Sequence, residues 1–289
     1  MTERLSDVNA RIASVRQLSS VITAMRGIAA ARAREARGRL DGIRAYAQTI
    51  AEAIGHVLAV LPEEARARSS GHRHRGHAVI ALCAEQGFAG VFNERVLDEA
   101  ARLLTGGAGP AELLLVGDRG LMVARERGLD VSWSVPMVAH AGQASALADR
   151  ISEELYRRID AGRVTRVSVV HAEPAASAAI ETVVKVLVPF DFARFPLARV
   201  ASAPLMTMPP PRLLAQLSEE YVFAELCEAL TLSFAAENEA RMRAMIAARA
   251  NVADTLEGLV GRARQMRQEE ITNEIIELEG GAGSARHAD

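Results

Sequence analysis

Apolar residues recur with 3-4 spacing from Leu5 to Leu61. With Leu5 as position a, the a row is Leu5, Ile12, Ser19, Arg26, Ala33, Leu40, Ala47, Ile54 and Leu61. The d row is Val8, Val15, Ile22, Ala29, Ala36, Ile43, Ile50 and Val57. Every d residue is apolar, only Ser19 and Arg26 break the a row, and no proline interrupts either. A heptad held this long predicts a helix that supercoils with a partner rather than one lying on a globular core. At 1.5 Å per residue it would be roughly 80 Å long. Leu61-Pro62 should end it, and a linker of charged and small residues, 63–76, follows.

From His77 to about Pro204 the period changes. His77–Leu82 is a short apolar run of strand character, followed by Gly87, Gly90 and a helical stretch, Phe92–Leu104. Glu112–Val116 reads as a second strand, closed by Gly117 to Gly120 and followed by a short helix, and Val131–Val135 as a third. Ala144–Ile159 is an amphipathic helix, and Val164–His171 and Ile180–Val188 read as further strands. Strands alternating with helices imply a small open α/β sheet.

Pro209-Pro210-Pro211 marks the next boundary, and a second long helix is expected from Arg212 to about Leu278. Met242, Met245, Arg249, Val252, Leu256, Leu259, Ala263 and Met266 keep the 3-4 spacing, with Phe223, Leu226, Leu230 and Phe234 upstream in a shifted register. Glu279-Gly280-Gly281 supplies the glycine expected at a helix C-terminus. An apolar seam is costly to leave in water, so the two helices should pair antiparallel. The expected fold class is therefore α/β: a long antiparallel two-helix coiled coil from the two termini, with an inserted Rossmann-like α/β domain. Its parts are residues 1–62, 63–208 and 209–289.

Composition narrows the function. Hydrophobic residues make up 49% and aromatics only 4%, which suits long helices packed through small residues. No apolar run approaches the length of a membrane span and the N-terminus has no signal-peptide core, so a cytosolic chain without direct membrane insertion is expected. A net charge of -2 gives nucleic acid little hold. The charge is unevenly spread, however: residues 1–75 are rich in arginine, whereas Glu219, Glu220, Glu225, Glu228, Glu237 and Glu239 crowd the second helix. Opposite bias favours their pairing. Lys185 is the only lysine.

Chemistry-bearing motifs are sparse. Cys83 and Cys227 belong to no cluster and read as buried, reduced thiols. His72, His74 and His77 have no cysteine or paired carboxylate to complete a ligand set, so no metal is expected. Gly87 and Gly90 lie after a strand and before a helix, where phosphate loops occur, but form neither the dinucleotide fingerprint nor a Gly-Lys-Ser/Thr loop. Glu85 has no second acid, His or Cys tied to it as a catalytic base. No active site and no cofactor are expected.

The residues resemble the gamma subunit of the rotary F-type ATP synthase over nearly the whole length. The first helix carries Arg11-Ile12-x-Ser14-Val15, Ile22-Thr23-Ala24-Met25 and Ala29-Ala30-Ala31-Arg32. The second carries Leu213-Leu214 after its proline lead, then Tyr221, Ala229-Leu230, Ser233, Glu237 and Ala240-Arg241-Met242-x-Ala244-Met245. The tail, from Arg267-Gln268 through Ile271-Thr272 and Glu274-Ile275 to Gly280-Gly281-Ala282, is the most specific piece. Where the family has Asp-(Arg/Lys)-Gly-Leu-Cys-Gly-Gly-Phe-Asn, this chain reads Glu85 to Asn93 with Gln86, Ala89 and Val91 at the basic, cysteine and second glycine positions. That divergence suggests a paralogue, from a separate sodium- or proton-translocating ATPase.

The resemblance implies a non-catalytic rotor shaft. It would stand in a ring of three α and three β subunits, carry the epsilon subunit and sit on the membrane c-ring, at the cytoplasmic face of the plasma (inner) membrane. Arg267 and Gln268 match positions that hydrogen-bond a β-subunit loop, with Thr272 one turn further. Met25 matches the position facing the β lever, and Arg32, Arg34 and Arg37 are expected near acidic residues of that lever. The competing reading from the heptads alone is a stand-alone coiled-coil scaffold.

Overall fold

In a computed structural model the described residues are 4–62, 76–107, 109–175, 180–197 and 205–285, with side chains described to residue 276. The linker histidines His72 and His74 lie outside them. The elements are α1 (Leu5–Val60), β1 (His77–Leu82), α2 (Phe92–Thr105), β2 (Ala111–Val116), α3 (Asp118–Glu126), β3 (Val131–Val135), α4 (Ala144–Asp160), β4 (Arg166–Glu173), β5 (Glu181–Val188) and α5 (Pro210–Ala285). The chain divides into two compact units, one of residues 1–28 with 242–289, the other of residues 29–241.

In the first unit the heptad positions of α1 are the covered ones. Val8, Ile12 and Ile22 are buried and Leu5, Val15, Ser19 and Arg26 half-buried, while the positions between them are mostly exposed. On α5, Met245 is buried and Met242, Ala248, Val252, Leu256, Leu259, Ala263 and Met266 are half-buried. Arg249, placed on this seam by strict heptad counting, is exposed, and Ala248 takes its place. Stepping back one residue keeps a guanidinium in water and puts a methyl group on the seam. Arg4, Leu5, Ser6 and Asn9 share a cleft with Met266, Glu269, Glu270 and Asn273.

In the second unit five strands form one sheet of order β3-β2-β1-β4-β5. The first four are parallel and β5 is antiparallel to β4. Alternate residues of the strands serve two cores, as the two-residue period of a strand requires. Ile80, Leu82, Leu114 and Val169 face Ile151 and Leu155 of α4 and Leu226 and Leu230 of α5. Val79, Ala81, Leu113 and Val170 face Phe92, Val96 and Leu97 of α2 and Ala124 of α3. A third cluster joins Ile54, Val57, Leu58 and Leu61 of α1 to Leu214 and Tyr221 of α5.

Here α1 and α5 run in opposite directions. Arg37 pairs with Glu239, Arg44 with Glu228 at 2.8 Å, and Tyr46 donates to Glu220. At Gly117, φ is 106°, and an added Cβ would lie 2.5 Å from the Cys83 carbonyl oxygen. Only glycine lets the chain turn there into α3.

The two ends of α5 differ from the sequence expectation. It starts at Pro210 rather than Arg212, because prolines in a first helical turn give up N–H groups that would lack a helical partner anyway. It continues to Ala285 through Gly280 and Gly281 rather than ending there. Each glycine costs about 1 kcal/mol of propensity but removes no hydrogen bond, so it permits a stop without forcing one.

One core residue gives the fold a pH dependence. His171 on β4 is 2% exposed, with Nε2 3.2 Å from Glu173. Burial pulls its imidazole below the usual 6.5 against the opposing pull of Glu173. At Glu228 of α5, burial would raise the carboxyl, but the Arg44 hydrogen bond and Lys185 outweigh it and hold the group below 4.5. Both shifts make proton uptake costlier in the folded chain. The His171 contribution is complete above its unfolded value of 6.5 and is lost as pH falls through the lower folded value; that of Glu228 is lost in the same sense below 4.5. The contribution of these two groups to the melting temperature should therefore climb with pH up to about 6.5. In His171→Gln the upper part of the climb should vanish and the lower part remain; an unchanged profile would contradict the assignment.

Candidate functional site

The residues singled out by sequence fall on two surfaces. In the first unit, Arg267, Gln268 and Thr272 are exposed on α5 and Met25 is half-buried on α1. The Thr272 hydroxyl donates to the Gln268 carbonyl at 2.8 Å, which satisfies it within the helix. Among the described residues, neither the Arg267 guanidinium nor the Gln268 amide has an in-chain partner. At about 100° per residue, Gln268 and Thr272 lie away from the Ala263–Met266 seam and Arg267 at its flank. These groups are presented outward and are free to meet another molecule.

In the second unit, Arg32 is half-buried and Arg34 and Arg37 are exposed on α1. They are not equivalent. Arg37 is committed to Glu239 of α5, whereas Arg32 and Arg34 have no in-chain ion partner among the described residues. A second molecule approaching Arg37 must compete with Glu239; at Arg34 it meets only water.

The sequence did not reveal how α5 treats the sheet. In an open parallel sheet, ligands bind beyond the carboxyl ends of the strands where the strand order reverses. Here that place lies between β1 and β4, and α5 fills it. Ser233 Oγ donates to the Leu82 carbonyl at 3.1 Å. One turn on, Glu237 and Arg241 form an ion pair with side chains 4% and 6% exposed. Arg241 also donates to the carbonyls of Gln86 and Gly87, each at 3.1 Å, and to Asn238 Oδ1 at 3.1 Å. Burial raises the Glu237 carboxyl above the usual range against the pull of Arg241, and its Oε2 has no hydrogen-bond partner among the described residues.

The loop that sequence reasoning compared with a phosphate cradle is thus spent on the chain itself. Glu85, weighed as a base, accepts the N–H of Asp118 at 3.1 Å and of Met137 at 2.7 Å, so it caps α3. Asn93 Oδ1 accepts the Ala84 N–H at 2.8 Å. In the same loop Phe88 sits at φ 63°, a conformation that bulky residues rarely adopt, and is 67% exposed. The only sequence signal for this clamp was an acid and a base four apart, Glu237 and Arg241, on either side of Asn238, Glu239 and Ala240. Both thiols are buried and free, and burial pushes Cys227 up to about 12 and Cys83 higher still, which makes them poor nucleophiles.

A family model described as ATP synthase matches residues 4–284. The ATP synthase gamma chain of Anaeromyxobacter dehalogenans is 29% identical over 286 residues, covering 96% of this chain and 98% of that protein. The ATP synthase gamma chain of Chlorobium luteolum is 28% identical over 290 residues, covering 98% and 99%. Among solved structures, the rotor of the Euglena gracilis mitochondrial ATP synthase superposes with a TM-score of 0.61 at 11% identity, over 92% of this chain and 98% of that one. At that identity the structural likeness speaks for the fold alone.

The clamp makes a stability prediction. Arg241→Met leaves the buried Glu237 carboxylate uncompensated and should cost about 3–5 kcal/mol in denaturant unfolding. Adding Glu237→Gln should recover much of that loss. A single-variant cost under about 1 kcal/mol would mean that the pair is not the clamp described.

Proposed function

The chain belongs to the ATP synthase gamma-subunit family, and we propose that it is the central rotor shaft of an F-type ATP synthase, without catalytic residues of its own. The observation that carries this reading is the family match across residues 4–284, which takes in both heptad helices and the α/β segment between them. A scaffold that only dimerises would need the heptads and nothing else.

In this reading residues 1–62 and 209–289 pair as an antiparallel coiled coil, with residues 63–208 as an inserted α/β domain. The coiled coil stands within a ring of three α and three β subunits. The α/β domain meets the epsilon subunit and the membrane c-ring at the cytoplasmic face of the plasma (inner) membrane. An asymmetric helix pair inside a threefold ring presents a different face to each β subunit, so the three catalytic sites hold nucleotide with different affinities at any instant. Rotation exchanges those affinities, and differential binding couples torque to ATP synthesis or hydrolysis.

Contact with β falls to the outward-facing groups. Arg267 and Gln268 donate to a β-subunit loop, a charge-assisted and directional contact that a moving shaft can make and break. Thr272 lies one turn beyond them, with its hydroxyl already satisfied. Met25 offers an apolar contact to the β lever. Arg32 and Arg34 face its acidic residues, and Arg37 does so only by leaving Glu239. The altered segment from Glu85 to Asn93 fits a paralogous sodium- or proton-translocating enzyme.

Co-expression with the organism's own α and β subunits tests the reading. ATPase activity should require this chain, and Arg267→Glu combined with Gln268→Ala should lower turnover by about tenfold or more while helix content and assembly hold. Full turnover in that variant would remove the β-contact assignment. A homodimer that ignores α and β would remove the shaft.

A further inference from the structure

Lys185 projects from β5 toward α5, where its ammonium pairs with Glu225 and lies 3.5 Å from Glu228. Glu225 is 5% exposed and also accepts Arg194, 3.1 Å away in the turn that follows β5. Glu228 takes a second cation, Arg44 of α1, at 2.8 Å. On β4, Glu173 adds negative charge near Arg44, and Lys185 adds positive charge near His171. A single network of alternating charge therefore ties the edge of the sheet to α5 and, through Glu228, to α1. All of it lies within the unit of residues 29–241.

The same surfaces are also held by apolar packing, with Val222, Leu226 and Leu230 set against the sheet. The two kinds of contact do different work. Apolar burial holds surfaces together but is non-directional, so it resists separation better than sliding. Hydrogen-bonded ion pairs have fixed geometry, and a slip of one residue would leave Glu225 buried without its cations, which is strongly unfavourable. Under a twisting load, the network is the part of the joint that sets register. Lysine and arginine occupy the cationic positions and two glutamates on successive turns of α5 the anionic ones, and among the described residues the sole lysine of the chain is the one cation paired with both acids.

We propose that Lys185 is a positioning residue for energy coupling: through Glu225 and Glu228 it locks the α/β domain to the α1–α5 helix pair, so that torque passes between them without slip. This rests on the rotor reading. It assigns to a side chain remote from the outward-facing arginines a share of the coupling that packing alone does not provide.

The test is Lys185→Met in the assembled complex reconstituted into lipid vesicles, beside wild type, Lys185→Arg and Glu228→Gln. Two quantities are read: ATP hydrolysis, and ions carried into the vesicle per ATP hydrolysed, with proton and sodium uptake both followed. Hydrolysis should hold in Lys185→Met while transport per ATP falls roughly threefold or more. Lys185→Arg should restore it, because a guanidinium can bridge the same two carboxylates. Should Lys185→Met not assemble, Glu228→Gln, which keeps Lys185 paired to Glu225, should show the same fall in smaller measure. The proposal is overturned if transport and hydrolysis decline together in proportion to assembled complex, or if the ratio is unchanged in both variants. Failure of the rotor reading looks different: the wild-type chain would then confer neither activity.

Discussion

From Tyr221 to Arg241, α5 is covered on nearly all sides, and the rest of the structure depends on that burial. An amphipathic surface helix hides one stripe; a helix hidden all round must have partners on every face. Here those partners are α1 and the sheet, which α5 follows along one face before it crosses the carboxyl edge. The crossing fixes what the α/β domain can be. The crevice that a doubly wound sheet offers to a nucleotide is taken by Ser233, Glu237 and Arg241, and the end of β1 and the loop beyond it spend carbonyls on Ser233 and Arg241. A fold associated with binding small molecules is used here to grip a helix.

Beyond that buried stretch the helices behave differently. On α5 from residue 246 to 276, seam residues are only half-covered and the rest are open to solvent. One end of the helix is held firmly by the domain, and the other offers unpartnered polar groups. That division fits the rotor reading proposed above, in which the domain grips the helix pair and the outward-facing groups meet another subunit. Arg44, Lys185 and Arg194 are paired within the chain, whereas Arg34 and Arg267 have no in-chain ion partner among the described residues.

Much of this was legible because helices and strands have short periods. The a and d rows of α1 fell on its covered positions from Leu5 to Leu61, and the five strands were readable from apolar runs bounded by glycine and proline. The misreadings were local. Strict heptad counting put Arg249 on the seam, but its charged side chain stays exposed and the neighbouring Ala248 is the half-buried residue. The glycines at 280 and 281 signalled a stop that the helix does not take. What stayed hidden were contacts between residues far apart in the chain: Arg241 with the carbonyls after β1, or Lys185 with two acids on α5. Nothing in local spacing marks such pairs, because tertiary packing creates them. The terminal motifs carried the functional reading because they combine residue identity with order, which heptads lack.

The central claim is that this chain turns. The most direct measurement fixes the α/β ring of the assembled complex to a surface, attaches a probe to an introduced cysteine on the α/β domain of this chain, and supplies ATP. The account predicts unidirectional rotation with three equally spaced pauses per turn, one for each β subunit. A probe that stays still while the same complexes hydrolyse ATP would contradict it.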